Sequence, residues 1–246
     1  MIKQFITSIR SAVFTVTLTT LTTFAGTVLS HEQGDWIVRV GAATVDPDES
    51  SSLLNVAGLG GNIADSGLGI DGDTQAGFTL AYMLTDHVAV ELLAATPFTH
   101  DIYLNSSGIA GAQPGLPAGS KIASVEHLPP TLSLQYFLRD GSSAFQPYVG
   151  IGINYTLILD EDLAANIKAD LAGGGLGASN LDIDDSVGLA LQIGADYQLD
   201  EKWLFNAAIW NMDIDTEASL DSAVGTVKAD LDIDPWVYML SVGYKF

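Results

Sequence analysis

The chain has no cysteine and only nine lysines and arginines among its 246 residues. The first absence rules out a disulfide framework and any thiolate metal site. The second leaves thirty acidic residues largely unbalanced, for a net charge of −21. Such a chain offers no basic footprint to a phosphate backbone, so nucleic acid is not an expected partner. It also has no charge attraction to an anionic membrane surface. Charged residues of either sign are few, 16% against 48% apolar. After the first thirty residues there is no run of about 18 apolar residues, so a helical membrane span is not expected there.

What is present divides into two parts. In residues 1–30 the only charges are Lys3 and Arg10, followed by an apolar, threonine-rich stretch to about Leu29 and small residues at Ala25-Gly26 and Ser30. A basic start, an apolar middle and a small-residue end predict a secretory signal peptide removed on export. A retained anchor is the alternative, but the threonines lower its hydrophobicity and no stop-transfer charges follow. The expected division is therefore a signal peptide over 1–30 and one β-domain over 31–246.

The second part alternates. At the C-terminus, P-W-V-Y-M-L-S-V-G-Y-K-F places Trp236, Tyr238, Leu240, Val242, Tyr244 and Phe246 on one strand face, with smaller or more polar residues opposite. The same two-residue period predicts strands over 35–43, 74–84, 87–95, 124–138, 145–157 and 186–197. A less regular strand is expected over 202–214, with no assignment of its faces. Pro129-Pro130 predicts a bulge or bend in the fourth strand. Long polar spans over 45–72, 97–121, 158–185 and 215–232 alternate with short turns. A short helix is expected over 160–171.

Eight strands joined alternately by long and short connections predict an all-β, eight-stranded antiparallel up-and-down transmembrane barrel, with four long external loops and short periplasmic turns. Closure pairs every backbone group, which hydrocarbon requires. The bulky face carries no charge. The opposite face is mainly Gly, Ser, Thr, Ala and Gln, which suits a narrow barrel interior better than a water-exposed surface. The acids gather in the third and fourth long spans. The terminal set Trp236–Phe246 is thus expected to face lipid. Arg39, Glu91, His127, Gln135, Tyr148, Asn154, Gln192 and Asp196 are expected to face the lumen. Arg39, Glu91 and Asp196 should pair with one another or with Gln135 and Gln192, since an unpaired charge in a narrow lumen is costly.

Five stretches resemble the small outer-membrane barrels of the OmpW/AlkL type: V-E-L-L-A-A-T-P-F-T-H-D-I (90–102), L-P-P-T-L-S-L-Q-Y (128–136), Q-P-Y-V-G-I-G-I-N-Y (146–155), D-D-S-V-G-L-A-L-Q-I-G-A-D-Y (184–197) and the terminal S-V-G-Y-K-F. They occur in order along nearly the whole chain after residue 30. The resemblance implies passive uptake of small, mainly hydrophobic molecules across the outer membrane, with release sideways into the bilayer. It also implies that the C-terminal strand ending in Phe246 is read by the barrel-assembly machinery. The expected partners are outer-membrane lipids, hydrophobic solutes and that machinery.

Catalysis finds little support. His31 lies at the expected cleavage point, His87 beside a periplasmic turn. His100 and Asp101 are adjacent on an extended segment and point apart, so they do not form a catalytic pair. His127 alternates inward. The G-x-G-x-x-G match at 67–72 leads into a strand rather than a helix and lacks the phosphate-binding context. Asp182/Asp184, Asp213/Asp215 and Asp232/Asp234 lack calcium-loop spacing. No cofactor, metal or catalytic residue is expected. A lipid-modifying enzyme on the same barrel, or an adhesion barrel acting through its acidic loops, are the alternatives.

Overall fold

The computed structural model describes residues 31–51, 55–56, 61–62, 68–104, 119–173, 179–222 and 225–246. The signal peptide expected over 1–30, and Gly67 of the glycine pattern, lie outside the described residues. Eight strands form the wall: β1 (Trp36–Asp46), β2 (Asp73–Met83), β3 (Val88–Ala95), β4 (Thr131–Phe137), β5 (Phe145–Leu163), β6 (Ser186–Gln198), β7 (Trp203–Met212) and β8 (Trp236–Lys245). Each pairs antiparallel with its neighbours in sequence. β8 then returns to β1, with Val40 opposite Val242, and the ring closes. No wall strand is left as an edge, the condition for crossing lipid without unpaired backbone groups. β1 has eleven residues. At about 3.3 Å per residue and a tilt of about 40° it rises some 27 Å, close to the apolar band of an outer membrane.

Alternation sorts the side chains. Along β8, Val237, Met239 and Ser241 are buried, while Trp236, Tyr238, Leu240 and Val242 are exposed. β7, whose faces could not be assigned from sequence, alternates as cleanly: Leu204, Asn206, Ala208, Trp210 and Met212 point in, Phe205, Ala207 and Ile209 out. Its pattern was hidden because both faces are apolar. Small residues on the inner face make room for large ones. A Cβ on Gly194 would collide with the Tyr148 ring, and one on Gly243 would come within 2.5 Å of Leu204 Cδ1. Without these glycines the lumen could not hold its aromatic and charged side chains.

Above the wall the chain does not become loop as expected. Phe98–Leu104 and Lys121–Leu128 continue β3 and β4 outward as a hairpin. That hairpin pairs with the upper half of β5 on one side and with Leu68–Ile70 on the other. Facing it, Ile214–Ser222 and Gly225–Ile233 form a second hairpin flanked by Ser179–Ile183 and Glu49–Ser51. The polar spans assigned to 97–121 and 215–232 are therefore partly strand. The reason is legible afterwards: Ile102, Ala123, Val125, Ile183 and Leu231 form their own buried apolar cluster, while acids such as Asp215, Asp230 and Asp232 occupy the outer face and mask the period. The helix expected over 160–171 begins later, at Ala165–Gly173, because 160–163 is strand paired to the first hairpin.

Candidate functional site: an apolar chamber over a polar floor

The floor is built around Arg39, which β1 points into the lumen and which is wholly buried. Its Nη2 lies 2.5 Å from Asp196 Oδ2, and its Nε donates to Asp196 Oδ1 at 3.1 Å. Nη1 donates to Glu91 Oε2 at 2.8 Å and to Thr79 Oγ1 at 3.4 Å. The other Glu91 oxygen accepts from Gln192 Nε2 at 2.9 Å, and Gln192 Oε1 accepts from Gln135 Nε2 at 3.1 Å. Asn206 Nδ2 donates to Asp196 Oδ1 at 2.8 Å and to Tyr148 Oη at 2.9 Å. The Tyr148 ring centre lies 5.9 Å from the Arg39 guanidinium carbon. Strands β1, β2, β3, β4, β5, β6 and β7 all contribute, so the network spans the barrel like a disc. Every charge in it has a partner, as burial demands.

Below the disc, toward the periplasmic turns, His31 is buried with its Nε2 2.9 Å from Asp196 Oδ2 and its ring edge-on to Phe137. The residue placed at the cleavage point by sequence is thus part of the lower lumen. Above the disc the lining changes to Ala43, Val45, Leu93, Trp210, Met212, Val237 and Met239, all buried. Higher still is a cavity of about 70 Å3, walled by Val45, Ile70, Ile102, Val125, Ile158 and Ile233, with His100, His127 and Thr156. A second cavity of about 120 Å3 lies beyond it, lined by Leu68, Ile122, Leu163, Leu181 and Ala229, and the two share Ile102, Ile183 and Leu231.

Six of the eight residues expected in the lumen meet in the disc: Arg39, Glu91, Gln135, Tyr148, Gln192 and Asp196. Asn154 and His127 are buried elsewhere. Asn154 sits higher, donating to Thr131 Oγ1 at 2.9 Å and to the Pro129 carbonyl at 3.2 Å. His127 stacks on His100 in the chamber. Sequence reasoning missed His31, Thr79, Asn206 and His100. Asn206 was lost with the faces of β7, His31 lies before any strand signal, and His100 falls in a span taken for loop. His87 stays at the turn end, its Nδ1 2.9 Å from the Phe137 carbonyl. Among the described residues, no three His, Asp or Glu side chains gather as a metal site.

The wall beside the chamber is interrupted. The last β3–β4 rung joins Leu93 to Thr131, and the next pairing upward joins Phe98 to His127. Between them lie Pro97, Pro129 and Pro130, none of which has an N–H to give the ladder. The N–H of Thr96 turns the other way, to the Ala76 carbonyl at 2.9 Å. The Pro130 carbonyl accepts from Tyr155 at 3.0 Å, on the β5 side. Among the described residues no rung closes this seam between β3 and β4.

The outside is a belt of exposed apolar side chains, with Leu240 71% and Ile193 69% accessible. Its turn-side rim is aromatic: Trp36 packs on Tyr82, and Tyr244 on Trp203 and Phe246. Of the C-terminal set, all but the half-buried Tyr244 are exposed on this outer surface.

A closed eight-stranded barrel with an apolar outside, aromatic rim and packed polar lumen is an integral outer-membrane protein. The OmpW family model matches residues 32–246, and the chain belongs to that family. It is 40% identical over 220 residues to outer membrane protein W of Vibrio cholerae, covering 89% of this chain and 92% of that protein. Its structure is similar to the crystal structure of the outer membrane protein OprG from Pseudomonas aeruginosa, with a TM-score of 0.78 and 47% identity over 89% of this chain and 99% of that one. A more distant relative is the dibenzothiophene metabolism operon protein PahQ of Pseudomonas aeruginosa, 27% identical over 216 residues, 87% of this chain and 90% of that protein.

Proposed function

We propose that the protein is a passive channel that carries small apolar solutes from the cell surface into the hydrocarbon of the outer membrane. The observation that carries this reading is the vertical order of the lumen: an apolar chamber, then a packed disc of paired charges, with the interrupted seam between β3 and β4 at chamber height. A solute entering from outside meets apolar walls. Going straight on would mean breaking the Arg39 network, whose members are all buried. Leaving sideways requires only that a stretch already without rungs part further. The dibenzothiophene in the name of one relative, an apolar aromatic compound, suits such a chamber. In this reading residues 1–30 direct export and are removed, the exposed belt is solvated by outer-membrane lipid, and the strand ending at Phe246 is what the assembly machinery reads.

The test uses vesicles whose outer leaflet is lipopolysaccharide, with and without the protein. Transfer of dibenzothiophene into the inner leaflet should accelerate, while glucose influx stays at the level of empty vesicles. Val125→Trp, which fills the chamber, should cut the apolar transfer at least tenfold and leave the barrel folded. Glucose influx without apolar transfer would overturn the reading.

A further inference from the structure

The chamber is not uniformly apolar. His100 and His127 come from the two strands of the first hairpin, Phe98–Leu104 and Lys121–Leu128. Their rings stack at 4.9 Å with planes 21° apart, and Phe98 stacks on both. They are only 4% and 8% exposed, and both line the lower cavity. His100 Nδ1 lies 2.5 Å from the Asp71 carbonyl oxygen. A carbonyl only accepts, so Nδ1 carries the proton, and in the neutral ring Nε2 is left as a bare acceptor. That Nε2 is buried and meets no donor among the described residues, and His127 Nδ1 is likewise without a partner. Two hydroxyls of the same cavity are already engaged: Thr156 donates to Asn154 Oδ1 at 2.7 Å and Thr216 to the Asp184 carbonyl at 2.6 Å. A buried acceptor with no donor is a costly arrangement unless something else satisfies it.

We infer that the histidine pair is a recognition site for the hydroxyl of an otherwise apolar solute, of the alkanol or alkylphenol kind. The solute O–H donates to His100 Nε2. His127 and Phe98 stack on the His100 ring and hold its acceptor in place. The tail lies along Ile102, Ile183 and Leu231 toward the second cavity. A metal ion fits less well. Near-parallel rings set their nitrogen lone pairs side by side rather than converging, and no third ligand gathers with them among the described residues. The inference rests on the uptake reading and sharpens it: the chamber discriminates a hydroxylated solute from the same skeleton without the donor.

The experiment compares 4-pentylphenol with its methyl ether, which keeps the oxygen and the tail but loses the O–H. Each competes with bound N-phenyl-1-naphthylamine on the folded full-length protein in lipid nanodiscs at pH 8, corrected for partition into empty discs. The phenol should bind about fivefold more tightly than the ether, the worth of one hydrogen bond to a buried acceptor. His100→Phe keeps a ring in the stack and removes the acceptor, so the ratio should fall to about one with the ether unaffected. If that variant fails to fold, the ratio in the unmodified protein decides. Equal binding there overturns the inference while leaving the uptake reading intact, because the ether still binds. If neither compound displaces the probe, both fail. Zn2+ held at micromolar concentration and lost in His100→Phe would make the pair a metal site and overturn the inference.

Discussion

Arg39 shows how much a single side chain can hold together. It is wholly buried between Glu91 on β3 and Asp196 on β6. Removing the guanidinium strands two carboxylates, and a buried charge without its partner costs about 3–5 kcal/mol. Arg39→Met should therefore lower the midpoint of urea unfolding in lipid vesicles strongly. The triple change Arg39→Met, Glu91→Gln, Asp196→Asn should recover most of that loss, because three neutral groups leave no charge stranded. A triple variant as unstable as the single one would show that the network stabilises by its geometry rather than its charge balance. Glu91→Gln alone should be milder, since an amide oxygen can still accept from Arg39.

At the level of strands, two features control what the wall can do. The first is the seam at Pro97, Pro129 and Pro130. Replacing all three by Thr restores three N–H groups where β3 and β4 now fail to pair. Amide hydrogen exchange across 94–97 and 128–130 should slow, and dibenzothiophene release into the bilayer should slow at least tenfold, while the barrel remains folded. Unchanged release with a slower-exchanging seam would place the exit elsewhere. The second is the outer hairpin, where Lys121 Nζ lies 2.5 Å from Asp101 Oδ1 and the Ser124 hydroxyl donates to Asp101 at 2.7 Å. The hydrogen bond from Lys121, then that from Ser124, holds the Asp101 carboxyl below its usual range. A lowered carboxyl stabilises the fold above the unfolded-state value of about 3.9, and the contribution is lost as pH falls through the lowered folded value. The pair is partly exposed, so the effect is small. Exchange in Phe98–Leu104 and Lys121–Leu128, corrected for its intrinsic pH dependence, should rise between pH 4 and pH 2, and Asp101→Asn should reduce that rise, leaving the part due to Asp73, which accepts from the Thr99 N–H.

The same elements show what the sequence made legible. Strict alternation in β1, β2, β4 and β6 exposed both faces because apolar residues lie outside and small or polar ones inside. Arg39, Glu91 and Asp196 stood out as the few charges on the inner face. β7 failed because its inner residues Leu204, Trp210 and Met212 are as apolar as its outer ones; Trp210 and Met212 line the upper lumen, and Leu204 packs below the disc against Gly243. The two hairpins failed for the opposite reason. Their acids face water on strands that pack only one side, and a polar count reads them as loop. His100 was lost with them, and with it the histidine pair. No local pattern could reveal that His31 reaches Asp196, 165 positions away in sequence.

For the molecule as a whole, the decisive property is that its wall is inside out, with a belt of large apolar side chains on the outside and Arg39, Glu91 and Asp196 buried in the lumen. An exposed apolar belt of this extent on a water-soluble monomer would drive association; around a barrel in lipid it is the solvated face. Leu240 separates the two cases. It lies midway along β8 and is 71% exposed, so a charge there points mainly outward from the wall. In water Leu240→Arg would change stability by no more than about 0.5 kcal/mol. At the midplane of a bilayer the same change costs about 2–4 kcal/mol. Glu201→Arg, in the exposed turn between β6 and β7, lies outside the hydrocarbon and serves as the control. Folding titrations in phospholipid vesicles should show the full penalty for Leu240→Arg and almost none for Glu201→Arg. In detergent micelles, which deform around a charge, the penalty should shrink. A Leu240→Arg barrel as stable as the parent in vesicles would mean that this face does not meet hydrocarbon. The lateral route would then have nowhere to deliver its solute.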